Sequence, residues 1–230
     1  MRLDGYRYFF PTRDFSTYFD NSPQLVLDIG CATGNNGKVL KDKLGCKVYG
    51  VEPRSEDAEE AAKVLDRVVA SPFDANVLAE LDDRPFDGVL LADVLEHLYD
   101  PWLALRQIQA RLAPGGLVVA SIPNVRNLAL LHDIMIGGRF TYTAVGLLDA
   151  THIRFFTLKT MHELFDQAGL VVRSVVPNLD PALAGIYQAF GDQETPYRGV
   201  YGELEFTVDS KETLLELTTI QFTLVATAKA

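Results

Sequence analysis

The feature that most constrains this chain is a five-residue apolar run, LVLDI (Leu25–Ile29), that breaks at once into small residues: Gly30, Cys31, Ala32, Thr33 and Gly34. A buried strand ending in such a turn, with helix-compatible sequence after it, is the opening of a βαβ unit. Gly30, Ala32 and Gly34 leave backbone uncovered, so a ligand can approach it closely. A second strand, KVYGV (Lys47–Val51), then ends in Glu52, where an acid can receive a pair of ribose hydroxyls. A tight turn that merely packs helix against strand is the plainer account. The placed acid favours a nucleoside site at the carboxyl edge of a sheet.

The rest of the chain extends the alternation. A helix with Ser55 as its cap carries the stripe Ala58, Ala61, Ala62 and Leu65. RVVA ending at Ala70 and GVLLA (Gly88–Ala92) read as the third and fourth strands. Asp100-Pro101 opens a helix that Ala113-Pro114-Gly115-Gly116 stops. LVVASI follows as the fifth strand, Thr157 caps a further helix, and VVRSVV and IQFTLVATA are the sixth and seventh strands. The predicted architecture is an α/β, Rossmann-like, seven-stranded and mostly parallel sheet with helices on both faces. Residues 1–230 read as a single domain with an aromatic N-terminal lid (about 1–23) and two irregular insertions over the active face (about 125–156 and 178–213). In the lid segment Tyr6, Tyr8, Phe9, Phe10, Phe15, Tyr18 and Phe19 either fold over a ligand or pack permanently on the sheet.

Composition excludes several classes. With 48% hydrophobic and 23% charged residues the chain is an ordinary globular one. The net charge of -10 disfavours a phosphate-backbone track, so no nucleic-acid partner is expected. No apolar run approaches the ~18 residues of a spanning helix, and the N-terminus lacks a signal-peptide pattern, so a cytoplasmic location without membrane insertion is expected. The two cysteines have no metal-type spacing, and no metal is expected.

The glycine loop departs from the dinucleotide fingerprint G-x-G-x-x-G, because Ala32 holds the second glycine position. Asp28, Asp93 and Glu96 cluster at strand ends, which suits a cationic ligand better than a pyrophosphate. With VLDIGCATG, GVEP, FDGVLLADVLEHLYDP, LAPGG, IPN, THIRFFT and QAGL together, roughly Gln24 to Val176 resembles the class I S-adenosylmethionine-dependent methyltransferases. The resemblance is to the small-molecule branch that includes quinone-biosynthesis and sugar methyltransferases. It implies S-adenosylmethionine as cofactor, with Asp28, Gly30, Cys31, Ala32 and Gly34 around its methionine part and Glu52 on the ribose. Pro53 and Phe73 would flank the adenine, Asp74 would accept from its amine, and Ala92, Asp93, Val94 and His97 would line the cleft.

The DATHIRFFT segment nominates His152 as a general base and Arg154 as an acceptor anchor, the alternative being that both only lock a loop. Asn124 and Arg126 are further candidate acceptor contacts, and Tyr142, Tyr187, Tyr197 and Tyr201 a candidate sugar-stacking wall. The acceptor expected is a small molecule, a sugar or sugar conjugate before a quinone or phenol. A cofactor-binding module without turnover and a nicotinamide-dependent oxidoreductase are the rivals. Oligomeric state is not legible.

Overall fold

The computed structural model describes residues 12–81, 84–190 and 196–229. Alternating βα units build a sheet of β1 (Leu25–Ile29), β2 (Lys47–Val51), β3 (Arg67–Val69), β4 (Phe86–Ala92), β5 (Leu112–Pro123), β6 (Leu170–Leu179) and β9 (Thr219–Ala228). Its order is β3-β2-β1-β4-β5-β9-β6, with β9 antiparallel to both its neighbours and the other pairs parallel. The seven strands found in the sequence are these seven. The reversal of β2 and β3 against β4 and β5 about β1 creates a crevice outside the carboxyl ends of β1 and β4, where open α/β sheets bind ligands.

Burial explains the strand sequences. β1 is buried along its whole length, and Val89–Leu91 of β4 and Leu117–Ile122 of β5 are buried, as a sheet covered on both faces requires. One face packs Leu27, Ile29, Val89, Leu91, Val118 and Ile122 with Leu105, Ile108, Met161 and Phe165 from helices α4 (Pro101–Gln109) and α6 (Leu158–Gln167). The opposite face packs Val26, Val48, Leu90 and Val119 with Leu40 of α1 (Asn35–Leu44) and with Phe15 and Phe19. A β-carbon on Gly88 would stand 2.5 Å from the Phe19 ring, so that ring fills space only a glycine leaves. Phe15 and Phe19 of the aromatic N-terminal segment are thus part of this core. Tyr6, Tyr8, Phe9 and Phe10 lie outside the described residues.

Local signals acted largely as the sequence implies. Asp100 accepts the Leu103 amide at 2.8 Å with Pro101 at the first helical position, and Thr157 forms a capping box with Thr160. Ser55 does not cap: Arg54 holds the N-cap position of α2 (Ser55–Ala61), and its guanidinium pairs with Asp57 at 3.1 Å. The two insertions are more ordered than their irregular sequences imply. They contain α5 (Leu128–Met135), α7 (Ala184–Phe190), the hairpin β7 (Tyr197–Tyr201) and β8 (Leu204–Val208), and lead into α8 (Lys211–Thr218). Leu128, Leu183, Phe190, Val208, Leu214 and Leu217 join them around their own apolar cluster. Among the described residues no helix is long and apolar enough to cross a membrane.

Candidate functional site

The turn after β1 is bound to the end of β2: the amides of Gly30 and Cys31 both donate to the Val51 carbonyl, at 2.8 and 3.1 Å. Gly30 sits at φ +68°, and a β-carbon there would meet Val94 Cγ2 at 2.7 Å, so this position needs glycine twice over. Ala32 takes a left-handed φ of 47°, which aims its N–H at Glu52 Oε2 at 3.0 Å. Arg54 N–H donates to Glu52 Oε1 at the same distance. Glu52 is thus buried and fixed at the end of β2, and burial pushes its carboxyl above the ordinary value.

Around this turn lies a cavity of about 540 Å³. Ten of the residues nominated for the cofactor line it: Gly30, Cys31, Ala32, Glu52, Pro53, Phe73, Ala92, Asp93, Val94 and His97. Asp28 and Gly34 stand behind its wall instead. Asp28 is enclosed between β1 and α1, bonded to the Gly37 amide, with Oδ2 unpartnered and its carboxyl pushed up to about 7 by burial. Gly34 is the left-handed N-cap of α1, packed against Val64 and Ala61. Asp74 also departs from expectation: it accepts the Asn76 and Val77 amides at the start of α3 (Ala75–Leu81) and does not line the cavity. An Asp just before a helix is used up by the helix's orphan donors. The Cys31 thiol is buried and its pKa driven far up by desolvation, which removes it as a nucleophile.

Asp93, at the end of β4, has a left-handed φ of 59° and borders both this cavity and a smaller one of about 200 Å³. Its carboxylate is held by Gln221 of β9 and by the guanidinium of Arg13. Arg13 also donates to Ser121 Oγ at 3.0 Å and Gln221 Oε1 at 2.7 Å. Arg13 is a functional-site residue without a sequence signal, since a lone basic residue in an irregular segment has nothing to mark its position.

The smaller cavity is lined by Asp93, Glu96, Asp149, His152, Asn178 and Gln221 together with Pro123, Val145, Leu147 and Ile220, and more of its wall is apolar than polar. The Glu96 carbonyl receives the amides of both Ile153 and Arg154 at 3.0 Å, which ties the THIRFFT segment to the turn after β4 and sets His152 beside Glu96. His152 Nδ1 bonds the Leu147 carbonyl at 3.1 Å, and its Nε2 lies 3.9 Å from Glu96 Oε1. His97, packed edge-on against His152, bonds Thr151 through Nδ1.

Other acceptor-side nominations do not reach this cavity. Arg154 donates to the Tyr99 carbonyl at 3.2 Å through Nε and stacks over Tyr99 and Trp102, so it locks the loop. Asn124 is fully buried and donates to the carbonyls of Glu216 and Thr219, while Arg126 pairs with Glu216 at 2.6 Å. Tyr187, Tyr197 and Tyr201 pack against the insertion core, and exposed Tyr142 stacks edge-on with Phe140. These residues gain more from local carbonyls and rings than from an open pocket, a choice invisible to sequence spacing.

Comparison with known proteins agrees with this geometry. A family described as "Methyltransferase domain" matches residues 4–175. A ubiquinone biosynthesis O-methyltransferase of Bradyrhizobium diazoefficiens is 37% identical over 43% of this chain and 40% of its own length. A trans-aconitate 2-methyltransferase of Pseudomonas aeruginosa is 33% identical over 46% and 38%. This chain thus matches under half the length of those relatives. A solved S-adenosylmethionine-dependent methyltransferase from Archaeoglobus fulgidus superposes with a TM-score of 0.58 at 19% identity, covering 91% of this chain and 88% of its own. A possible histamine N-methyltransferase from Thermotoga maritima gives 0.58 at 22% identity, covering 90% and 82%. These last two share the fold. With the glycine turn, the acid after β2 and the sheet order in place, the chain belongs to the methyltransferase-domain family and has the class I, S-adenosylmethionine-dependent methyltransferase fold.

Proposed function

We propose that the chain transfers a methyl group from S-adenosylmethionine to a hydroxyl oxygen of a small polar acceptor, a sugar or sugar conjugate before a phenol. The observation that carries this reading is the pair of cavities meeting at Asp93, one ending at Glu52 and the other bordered by His152. The larger volume falls in the range of small-molecule sites. Its residues fit the cofactor: a fixed carboxylate for the ribose hydroxyls, Pro53 and Phe73 as apolar walls for the adenine, and the Gly30–Ala32 backbone with Asp93 for the cationic end.

When bound, the cofactor supplies a methyl group on a sulfonium, already an activated leaving group. The work of the chain is then positioning, which can supply ~7–11 kcal/mol, against ~3–5 kcal/mol for one general base. Arg13 and Gln221 hold Asp93 rigid between the cavities, and Glu52 holds the turn. A hydroxyl acceptor must also lose its proton. In the ion-free protein His152 Nε2 is the group that can take it, because Nδ1 is committed to the Leu147 carbonyl.

A second reading, a quinone precursor or other phenol, is favoured by the relatives named as ubiquinone biosynthesis O-methyltransferases. Asp149, Asn178 and Gln221 in the wall of the smaller cavity offer hydrogen-bonding groups that favour the first, while Pro123, Val145, Leu147 and Ile220 beside them suit an apolar ring. The test is labelled-methyl transfer to nucleotide sugars, phenolic quinone precursors and oligonucleotides, with mass analysis of any nucleoside that copurifies. Transfer to sugars is expected; transfer only to phenols selects the second reading. Bound nicotinamide dinucleotide, or cofactor binding without transfer to any acceptor, overturns both.

A further inference from the structure

We propose that Glu96, His97 and His152 form a binding site for one divalent transition-metal ion, of the Zn²⁺ or Mn²⁺ class, where the two cavities meet. Glu96 and His97 are adjacent in the sequence, but His152 lies far downstream in a different segment. Folding brings one ligand atom from each within 4.8 Å of the others.

The hydrogen bonds around the cluster leave it rich in lone pairs and poor in protons. The Thr151 hydroxyl donates to Asp149 Oδ1 at 2.7 Å, so towards His97 Nδ1, 3.1 Å away, it must accept. The carbonyl of Leu147 can only accept from His152 Nδ1. In its neutral form each histidine therefore carries its proton on Nδ1 and presents Nε2 as a lone-pair donor. Both oxygens of Glu96 are buried without a hydrogen-bond partner. His152 Nε2 and Glu96 Oε1, at 3.9 Å, are too far apart for a hydrogen bond. Two buried carboxylate oxygens without a donor thus lie beside two imidazoles, an arrangement costly to bury unless a cation satisfies it.

Ring nitrogens fixed by Nδ1–H bonds to a carbonyl and a carboxylate-linked hydroxyl are what metal-binding imidazoles require. Two histidines and one carboxylate suit zinc, manganese or iron, and metal–ligand bonds of ~2.0–2.2 Å need the three side chains to close by about 1 Å. Remaining coordination positions would open on the cavities, since His97 lines the larger and Glu96 and His152 line the smaller. Imidazole and carboxylate bind an ion only without their protons, so affinity for the ion must fall as pH falls. With the ion present His152 is a ligand and not the proton acceptor.

The test uses untagged protein stripped with chelator and titrated with Co²⁺, Zn²⁺ and Mn²⁺ by calorimetry and visible absorption. One ion per chain is expected, with a nitrogen/oxygen-type cobalt spectrum, proton release on binding and weaker affinity as pH falls. Glu96→Gln and His152→Gln should each weaken binding roughly 10-fold or more, while His162→Gln leaves it unchanged. His97→Gln serves if either variant fails to fold. Absence of binding, equal affinity in the site variants, or a thiolate-type cobalt spectrum overturns the proposal.

Discussion

The Ala32 amide donates to Glu52 Oε2 at 3.0 Å, so the acid at the end of β2 holds the turn that follows β1. One carboxylate therefore shapes the cavity and remains in its wall. Replacing Glu52 by Ala should weaken binding of S-adenosylmethionine and of its demethylated product by about 2–4 kcal/mol, the loss of two charge-assisted hydrogen bonds. Calorimetry reads this directly, and unchanged affinity would remove Glu52 from the site. Because burial raises its carboxyl, affinity should begin to fall at a higher pH than an ordinary glutamate would give.

Asp28 makes a prediction about stability and pH. Its folded-state carboxyl is raised to about 7 from 3.8, so the folded chain holds this proton more tightly than the unfolded one. Such a group contributes stability that is fully present below the unfolded value and lost as pH rises through the folded one, up to about 4 kcal/mol for a shift of three units. Asp28→Asn should keep the neutral form at every pH. Denaturant unfolding should show the variant gaining on the wild type between pH 4 and pH 8, and a constant difference would contradict the buried-acid account.

Gly30 and Val94 predict a coupled pair. Gly30→Ala forces a β-carbon to within 2.7 Å of Val94 Cγ2 at a left-handed φ, and should destabilise by ~2–4 kcal/mol. Val94→Ala in the same chain should recover the steric part but not the backbone part. A double-mutant cycle showing simple additivity would mean the two side chains do not collide.

His152→Gln should lower turnover 10²-fold or more with cofactor affinity intact, whether His152 Nε2 takes a proton or binds an ion. Single-turnover kinetics beside product-binding calorimetry separates the two quantities. Near-normal turnover at every pH would make His152 a loop-locking residue.

Much of this protein was legible as local pattern. The seven sheet strands and the Asp100 and Thr157 caps rest on forces within a few residues: apolar runs, orphan amides and turns that need small side chains. The resemblance to methyltransferases followed from those motifs because a βαβ unit carries its ligand-facing loop in one short stretch. Tertiary structure decided what spacing cannot express. Asp74, Arg154, Asn124 and Arg126 were drawn to nearby amides, carbonyls or charges, since a polar group that is being buried takes the partner within reach. Arg13 reached Asp93, and His152 reached Glu96, only because the N-terminal segment packs on the sheet and two amides dock on the Glu96 carbonyl. Those pairings depend on long-range closure of the chain, and they determine the chemistry of the second cavity.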